Sequence, residues 1–142
     1  MGDGRAVHIL TREECGLLLA GADIGRVILT AHALPTALPV SYGLDGPDVI
    51  FRTSGGAKLS AASTGTVVAF EVDHFDPELR IGWSVLVTGV ATVVVDKDGI
   101  RRLDGLSIPS WVDQAPTQYV RLSTAMISGR RVAPHPVAPA VH

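Results

Sequence analysis

The stretch from Gly82 to Asp96 constrains this chain most. It contains no proline, no charge before Asp96, and is dominated by β-branched residues, a composition that favours an extended strand. One alternating set is Val85, Val87, Ala91, Val93 and Val95; the other is Leu86, Thr88, Val90, Thr92 and Val94. Successive strand residues face opposite ways, so both faces of this strand are largely apolar and both need cover. Thr66 to Phe75, rich in Val and Phe, repeats the demand. Long strands buried on two sides suit the wall of a small barrel, filled inside by a core and covered outside by a helix or a second subunit.

The remaining elements fit around that wall. Thr11-Arg12-Glu13-Glu14 has the form of a capping box, and the leucines that follow run to Gly21. The spacing predicts a helix over Arg12 to Ala20, covering an open end of the sheet. Arg26 to Thr30, Thr36 to Leu44 and Val49 to Thr53 read as strands, with Asp45-Gly46-Pro47-Asp48 as a hairpin turn. Pro39 inside the second of these indicates an edge or a bulge. Lys58 to Ser63 suits a short helix. Asp96-Lys97-Asp98-Gly99 reads as a turn and Ile100 to Leu106 as a helix. Thr117 to Ala125 and Ile127 to Val132 read as closing strands. The expectation is six or seven mostly antiparallel strands in one domain over 1–132, with a Pro/Ala-rich tail over 133–142.

Composition enters as exclusion. The chain has 142 residues, 46% apolar and 18% charged, which disfavours disorder away from the ends. A net charge of −2 gives no reason to expect nucleic acid or an anionic membrane as a partner. One cysteine, Cys15, excludes an internal disulfide and a cysteine-rich zinc site. No apolar run approaches the roughly 20 residues of a membrane span. Met1 to Thr11 lacks the apolar centre of a signal peptide, so a cytoplasmic protein is expected.

The chemistry concentrates in Phe51-Arg52-Thr53-Ser54-Gly55-Gly56-Ala57-Lys58-Leu59. A strand delivers an Arg and a hydroxyl, a Gly-Gly break follows, and a Lys opens the next segment. A guanidinium can bind two phosphate oxygens in parallel and an ammonium adds a point charge. Amides at a helix start favour an anion. The grouping reads as a clamp for a phosphate monoester built on Arg52, Thr53 and Lys58; read singly, Arg52 and Lys58 are surface charges.

Further pieces stand in a definite order: Gly25-Arg26-Val27, Pro39-Val40-Ser41-Tyr42, the clamp, Phe70-Glu71-Val72-Asp73, Gly82-Trp83-Ser84 through Gly89, and Ile127-Ser128-Gly129-Arg130-Arg131. This order resembles the pyridoxamine 5'-phosphate oxidase-like flavin-binding split barrels, in particular their short actinobacterial and nitroimidazole-reductase-like branch. The likeness runs from about Leu10 to Val132. It implies a mainly β, six-stranded antiparallel split barrel of Greek-key type with a few short helices. It also implies a homodimer with FMN at the interface. Arg52, Lys58 and Thr53 would hold the FMN phosphate. Pro39, Val40, Ser41 and Tyr42 would run beside the flavin ring, largely through backbone atoms. Trp83 and Ser84 would come from the partner chain or a neighbouring strand. The implied activity is an FMN-dependent oxidoreductase acting on a small substrate, with the redox chemistry carried by the flavin and no catalytic side chain required. Deazaflavin coenzyme F-420 is the alternative, with Arg26, Arg80 and Arg130 as further contacts for its anionic tail. A non-enzymatic flavin-binding or haem-binding protein is the third reading. The family's Arg-x-His substrate motif is missing: the chain has Gly129-Arg130-Arg131-Val132, and His135 lies in the tail.

Other candidates divide between site and scaffold. Trp83 reads equally as core or as a flavin neighbour. Of Arg130 and Arg131 at most one can enter a site, because adjacent strand residues face opposite ways. Arg130 is the candidate substrate contact, with a solvent-facing or dimer salt bridge as its alternative role. Glu71 and Asp73 share one face and read as an acid pair, a solvated face, or partners for arginines near a dimer seam. His8, His32 and His74 show no metal-ligand spacing. Cys15 reads as a small buried apolar residue.

Overall fold

A computed structural model describes residues 4–31, 33–53, 65–109 and 118–134. In chain order the elements are β1 (Arg5–Ile9), α1 (Arg12–Ala20), β2 (Ile24–Ala31), β3 (Leu34–Asp45), β4 (Asp48–Thr53), β5 (Val67–Asp76), β6 (Ile81–Val93), α2 (Lys97–Asp104), β7 (Gln118–Leu122) and β8 (Met126–Pro134). All strand pairings are antiparallel. The order β6-β5-β2-β3-β4-β7 closes on itself through the β6–β7 pairing, giving a six-stranded barrel. The first half of β6 pairs instead with β8, which carries β1 on its far edge. That exchange of partners along β6 splits the barrel wall.

Local chemistry accounts for the boundaries. The Thr11 hydroxyl accepts from the Glu14 amide and the Glu14 carboxylate accepts from the Thr11 amide, so the expected capping box is present. Asp45 to Asp48 makes the expected hairpin, with Gly46 at φ 59°, a left-handed conformation that suits glycine. Pro39 lies where β3 pairs with β2 alone, because the β4 pairing begins at Tyr42. The missing amide hydrogen therefore faces an unpaired edge.

Three elements differ from the sequence expectation. β1 has no forecast counterpart. α2 begins at Lys97 rather than Ile100: Asp96 is its N-cap and accepts from the Gly99 amide, so the residues read as a turn are the first turn of the helix. β8 runs on through Ala133 and Pro134, which pair with Ala6 and Arg5. The helix expected over Lys58 to Ser63 lies outside the described residues.

The barrel interior holds Val27, Val40, Tyr42, Phe51, Phe70, Val85, Val87 and Leu122, all buried. Phe70 sits at its centre, stacked on Phe51 at 6.2 Å and meeting the Tyr42 ring edge-on at 5.0 Å. α1 seals this core with Cys15 and Leu19. Burial pushes the Cys15 thiol above its usual range, as expected of a small apolar residue. α2 covers a second, outer cluster of Ile50, Leu103, Ile108 and Tyr119. Among the described residues no helix is long and apolar enough to cross a membrane.

Among the described residues no helix covers the outer face of the other wall. Cross-strand rows on it read Ile9-Arg130-Ser84-Asp73, then Ser128-Leu86-Glu71-Arg26-Pro39, then Met126-Thr88-Ala69-Ile28-Ala37. Ile9 (74% exposed), Met126 (66%), Val67, Leu86, Ile24 and Ile28 all stand open on it.

Candidate functional site

β4 places Arg52 and Thr53 on opposite faces. Thr53 turns inward and is 1% exposed, and its hydroxyl has no hydrogen-bond partner among the described residues. Arg52 turns outward beside the second cluster. Its Nη1 donates to the Ile108 carbonyl at 2.7 Å, and its guanidinium lies 5.5 Å from the centre of the Tyr119 ring. Tyr119 is the cross-strand partner of Arg52 on β7, and its hydroxyl donates to Asp104 on α2 at 2.7 Å. Burial, then that hydrogen bond, pushes the Tyr119 phenol above its usual range. Arg52 is thus held by an aromatic face and a carbonyl, each on a different element. A long, flexible cation is fixed before any anion arrives, which removes part of the entropic cost of binding one.

Register extends this surface. Tyr42 pairs with Phe51, so Ser41 is the next position opposite Arg52 and turns the same way. Ser41 and Gly43 line the outer side of β3, and Ile108 crosses over Gly43, where a Cβ would come within 3.1 Å of Ile108 Cγ1. A cleft of about 240 Å³ opens beside this contact, between the end of α1, β3 and residues 106–109, with Asp23, Gly43, Ser107 and Ile108 in its walls. Farther along the same face Asp45 takes Arg102 at 2.7 Å and Arg121 at 2.8 Å, and Asp48 takes Arg121 at 2.9 Å. The hydrogen bond from Arg121, followed by Arg102, holds the Asp45 carboxyl below its usual range. These arginines are committed to structure.

The forecast site residues fall into two groups. Pro39, Val40, Ser41, Tyr42, Arg52 and Thr53 lie on neighbouring strands, β3 and β4. Trp83, Ser84 and Arg130 lie on the paired strands β6 and β8, where Ser84 faces Arg130 across the ladder. Neither β3 nor β4 pairs directly with β6 or β8: β5 and β2 lie between them on one side of the barrel and β7 on the other. Lys58 and His32 lie outside the described residues.

Side-chain directions refine the reading of β3. Val40 and Tyr42 point into the core, and Trp83 packs against the same core. Val40, Tyr42 and Trp83 therefore turn their side chains inward; Pro39 is exposed on the other side of β3, where Ser41 is buried. The Tyr42 hydroxyl donates to the Leu19 carbonyl inside the protein, and burial pushes its pKa up to about 12. Arg130 is exposed on the open outer face, and Arg131 occupies the alternate position opposite Trp83.

Glu71 and Asp73 do find an arginine. Arg26 on β2 lies 3.6 Å from Glu71 Oε1 and 3.7 Å from Asp73 Oδ2, too far for hydrogen bonds. Glu71 Oε1 is buried and has no hydrogen-bond partner among the described residues. No group of three or more potential metal-ligating His, Cys, Asp or Glu side chains occurs among the described residues.

The family model described as pyridoxamine 5'-phosphate oxidase matches residues 11–131. An uncharacterized protein of Mycobacterium tuberculosis, Rv0080, is 41% identical over 133 residues, covering 90% of this chain and 87% of its own. The structure of the FAD binding protein from Mycobacterium smegmatis aligns with a TM-score of 0.76 at 34% identity, covering 90% of this chain and 99% of that one. The FAD and haem binding protein of the same organism shares the fold, with a TM-score of 0.69 at 18% identity over 97% of this chain and 90% of that one.

Proposed function

This chain belongs to the pyridoxamine 5'-phosphate oxidase family, and from that premise we propose that it is a dimeric flavin-dependent oxidoreductase that uses FMN on a small substrate. The observation that carries the reading is Arg52, fixed on the outer side of β4 by the Ile108 carbonyl and the Tyr119 ring. The residues present fit a flavin phosphate. Arg52 offers a planar set of donors, Ser41 faces the same way, and the next residues along the chain, Ser54 to Lys58, bring hydroxyl, glycine amides and a second cation. A bound flavin supplies the hydride or electron transfer. The protein's residues anchor the phosphate, present the outer edge of β3 to the ring, and keep Asp45 and its arginines clear of it.

The separation of Arg52 from Ser84 and Arg130 supports the two-chain site that the family likeness implies. A partner seated on the open outer face would bring its own β6 and β8 residues into play. FMN is preferred because the clamp grouping suits a terminal phosphate monoester. FAD is the form named for the 34% identical relative, and its pyrophosphate would use the same cation. Pyridoxamine phosphate oxidation is not proposed, since the Arg-x-His motif is missing. Cytoplasmic residence remains part of the proposal.

The test is an absorbance titration of the purified protein with FMN, FAD and deazaflavin, alongside Arg52→Ala, Arg52→Lys and Lys58→Ala. Charge-assisted hydrogen bonds of about 1.5–3 kcal/mol predict a roughly 10- to 150-fold loss of flavin affinity in Arg52→Ala. Arg52→Lys should recover only part of it, because the planar contact with Tyr119 is lost. No flavin uptake by the native protein, or unchanged affinity in Arg52→Ala, overturns the reading. Tighter deazaflavin than FMN binding would select the alternative coenzyme. Once flavin is bound, nicotinamide-driven reduction of small acceptors separates an oxidoreductase from a carrier.

A further inference from the structure

We propose that the Arg26–Glu71–Asp73 cluster makes self-association of this protein proton-linked: a second copy seated on the outer face drives a proton onto Glu71, so the dimer tightens as pH falls through neutrality. This rests on the dimeric reading above and adds a regulation to its interface.

The geometry sets the cluster in the middle of the open wall. Glu71 lies in a cross-strand row between Leu86 and Arg26, with Ala69 and Asp73 next to it on its own strand. Ile28 stands in the adjoining row, opposite Ala69. Glu71 is therefore a carboxylate flanked by Leu86, Ala69 and Ile28 as well as by Arg26 and Asp73. Asp73 faces the same way because it is two residues along the strand. The charged groups on this face beside Glu71 are Arg26 on β2 and Asp73 on β5, with Arg130 on β8 in the next row. β6 contributes Ser84, Leu86 and Thr88, and β3 contributes Ala37 and Pro39, none of them ionisable. His74 falls on the alternate side of β5.

Charge counting decides the direction. Arg26 is one cation for two carboxylates, and at 3.6 and 3.7 Å it hydrogen-bonds neither. In the single chain Arg26 remains 56% exposed, so water screens the excess negative charge. Covering the face removes that water. A buried, uncompensated carboxylate is costly, and the cheapest remedy is a proton. With Glu71 neutral, its carboxyl can donate to the Asp73 carboxylate, Asp73 keeps Arg26, and the cluster carries no net charge. Glu71 already leans this way: burial, then the neighbouring Asp73, pushes its carboxyl up to about 7 against the pull of Arg26. The occupant is taken as a second copy because the face carries both signs, Arg26 and Arg130 against Glu71 and Asp73, among exposed aliphatic residues. An isologous two-fold contact needs both signs on one face, and this face supplies them.

The test measures the dimer dissociation constant of the full chain by fluorescence-detected sedimentation from about pH 6 to about pH 8.5 at constant ionic strength, for the native protein and Glu71→Gln. Uptake of one proton per protomer, two per dimer, predicts a native constant that rises up to about a hundredfold per pH unit above pH 7. Glu71→Gln, neutral throughout, should hold the tight low-pH value across the range. A native constant that is flat, or that falls with rising pH because a partner arginine meets an ionised Glu71, overturns the proposal even if Glu71→Gln fails to fold. An equal slope in Glu71→Gln overturns it too. A native protein that stays monomeric at every pH, at the highest soluble concentration, defeats the dimeric reading and this proposal with it; a dimer with no pH dependence defeats only the proposal.

Discussion

Replacing Gly25 by alanine should measure how tightly the barrel centre is packed. Gly25 pairs with Val40 and faces the core. A Cβ there would lie 2.3 Å from Cζ and 2.7 Å from Cε1 of Phe70. The ring cannot step aside easily, because it is fully buried, with Tyr42 against it at 5.0 Å and Phe51 at 6.2 Å. Overpacking of this kind costs about 1–3 kcal/mol. The backbone at Gly25 is not left-handed, so alanine returns about 0.5 kcal/mol by restricting the unfolded chain. The expected net loss is about 0.5–2.5 kcal/mol, or roughly 2–9 °C in Tm for a chain of this size. Urea denaturation of native, Gly25→Ala, Phe70→Leu and the double variant provides the assay. Leucine vacates the space that the new methyl needs, so the Gly25→Ala penalty should shrink by about 1 kcal/mol or more in the Phe70→Leu background. A Gly25→Ala protein of native stability, or strict additivity of the two changes, would refute the packing argument.

Two further outcomes follow from single contacts. Tyr42→Phe removes the donor to the Leu19 carbonyl and should cost about 1–2 kcal/mol in urea denaturation; in the native protein, absorbance at alkaline pH should show the Tyr42 phenolate forming only near pH 12 or on unfolding. Asp45→Asn removes the negative charge and one of the two acceptor oxygens that serve Arg102 and Arg121, and should cost about 1 kcal/mol at neutral pH. The Asp45 carboxyl is held below its usual range in the folded state, so its contribution is present above the unfolded value and fades as pH falls through the folded one. The stability gap between native and Asp45→Asn should therefore close on acidification; a gap that persists in acid would mean that shape, not charge, is at stake.

Residues whose neighbours in sequence decide their state were legible without coordinates. The capping box at Thr11 and Glu14 needs only a spacing of three, and the hairpin needs only Gly46 in its turn. Two-sided apolarity in β6 announced a wall covered on both sides, and the closed barrel with α2 outside satisfies half of that demand. β1 escaped because alternation over Arg5 to Ile9 is short and its apolar residues Val7 and Ile9 stay exposed. α2 was placed late because aspartate followed by glycine signals a turn and a helix cap alike, and only the Asp96 to Gly99 hydrogen bond separates them.

The site was legible by residue and not by direction. Adjacent strand positions alternate, so one registration decides that Ser41 and Arg52 face out while Val40, Tyr42 and Thr53 face in, and a shift of one residue would reverse every assignment. The pairing of Tyr42 with Phe51 supplies that registration, and the hairpin at Gly46 fixes it in turn. The same arithmetic joins Arg26 to Glu71, which lie far apart in the chain and meet only because β2 pairs with β5. Glu71 shows why this matters for function. In the sequence it is one member of an unremarkable acid pair. Register sets it between Leu86 and a single arginine, on a wall that no described helix covers; in the proposed dimer that position makes its charge a cost, and counting one cation against two carboxylates gives the proposed pH dependence its sign.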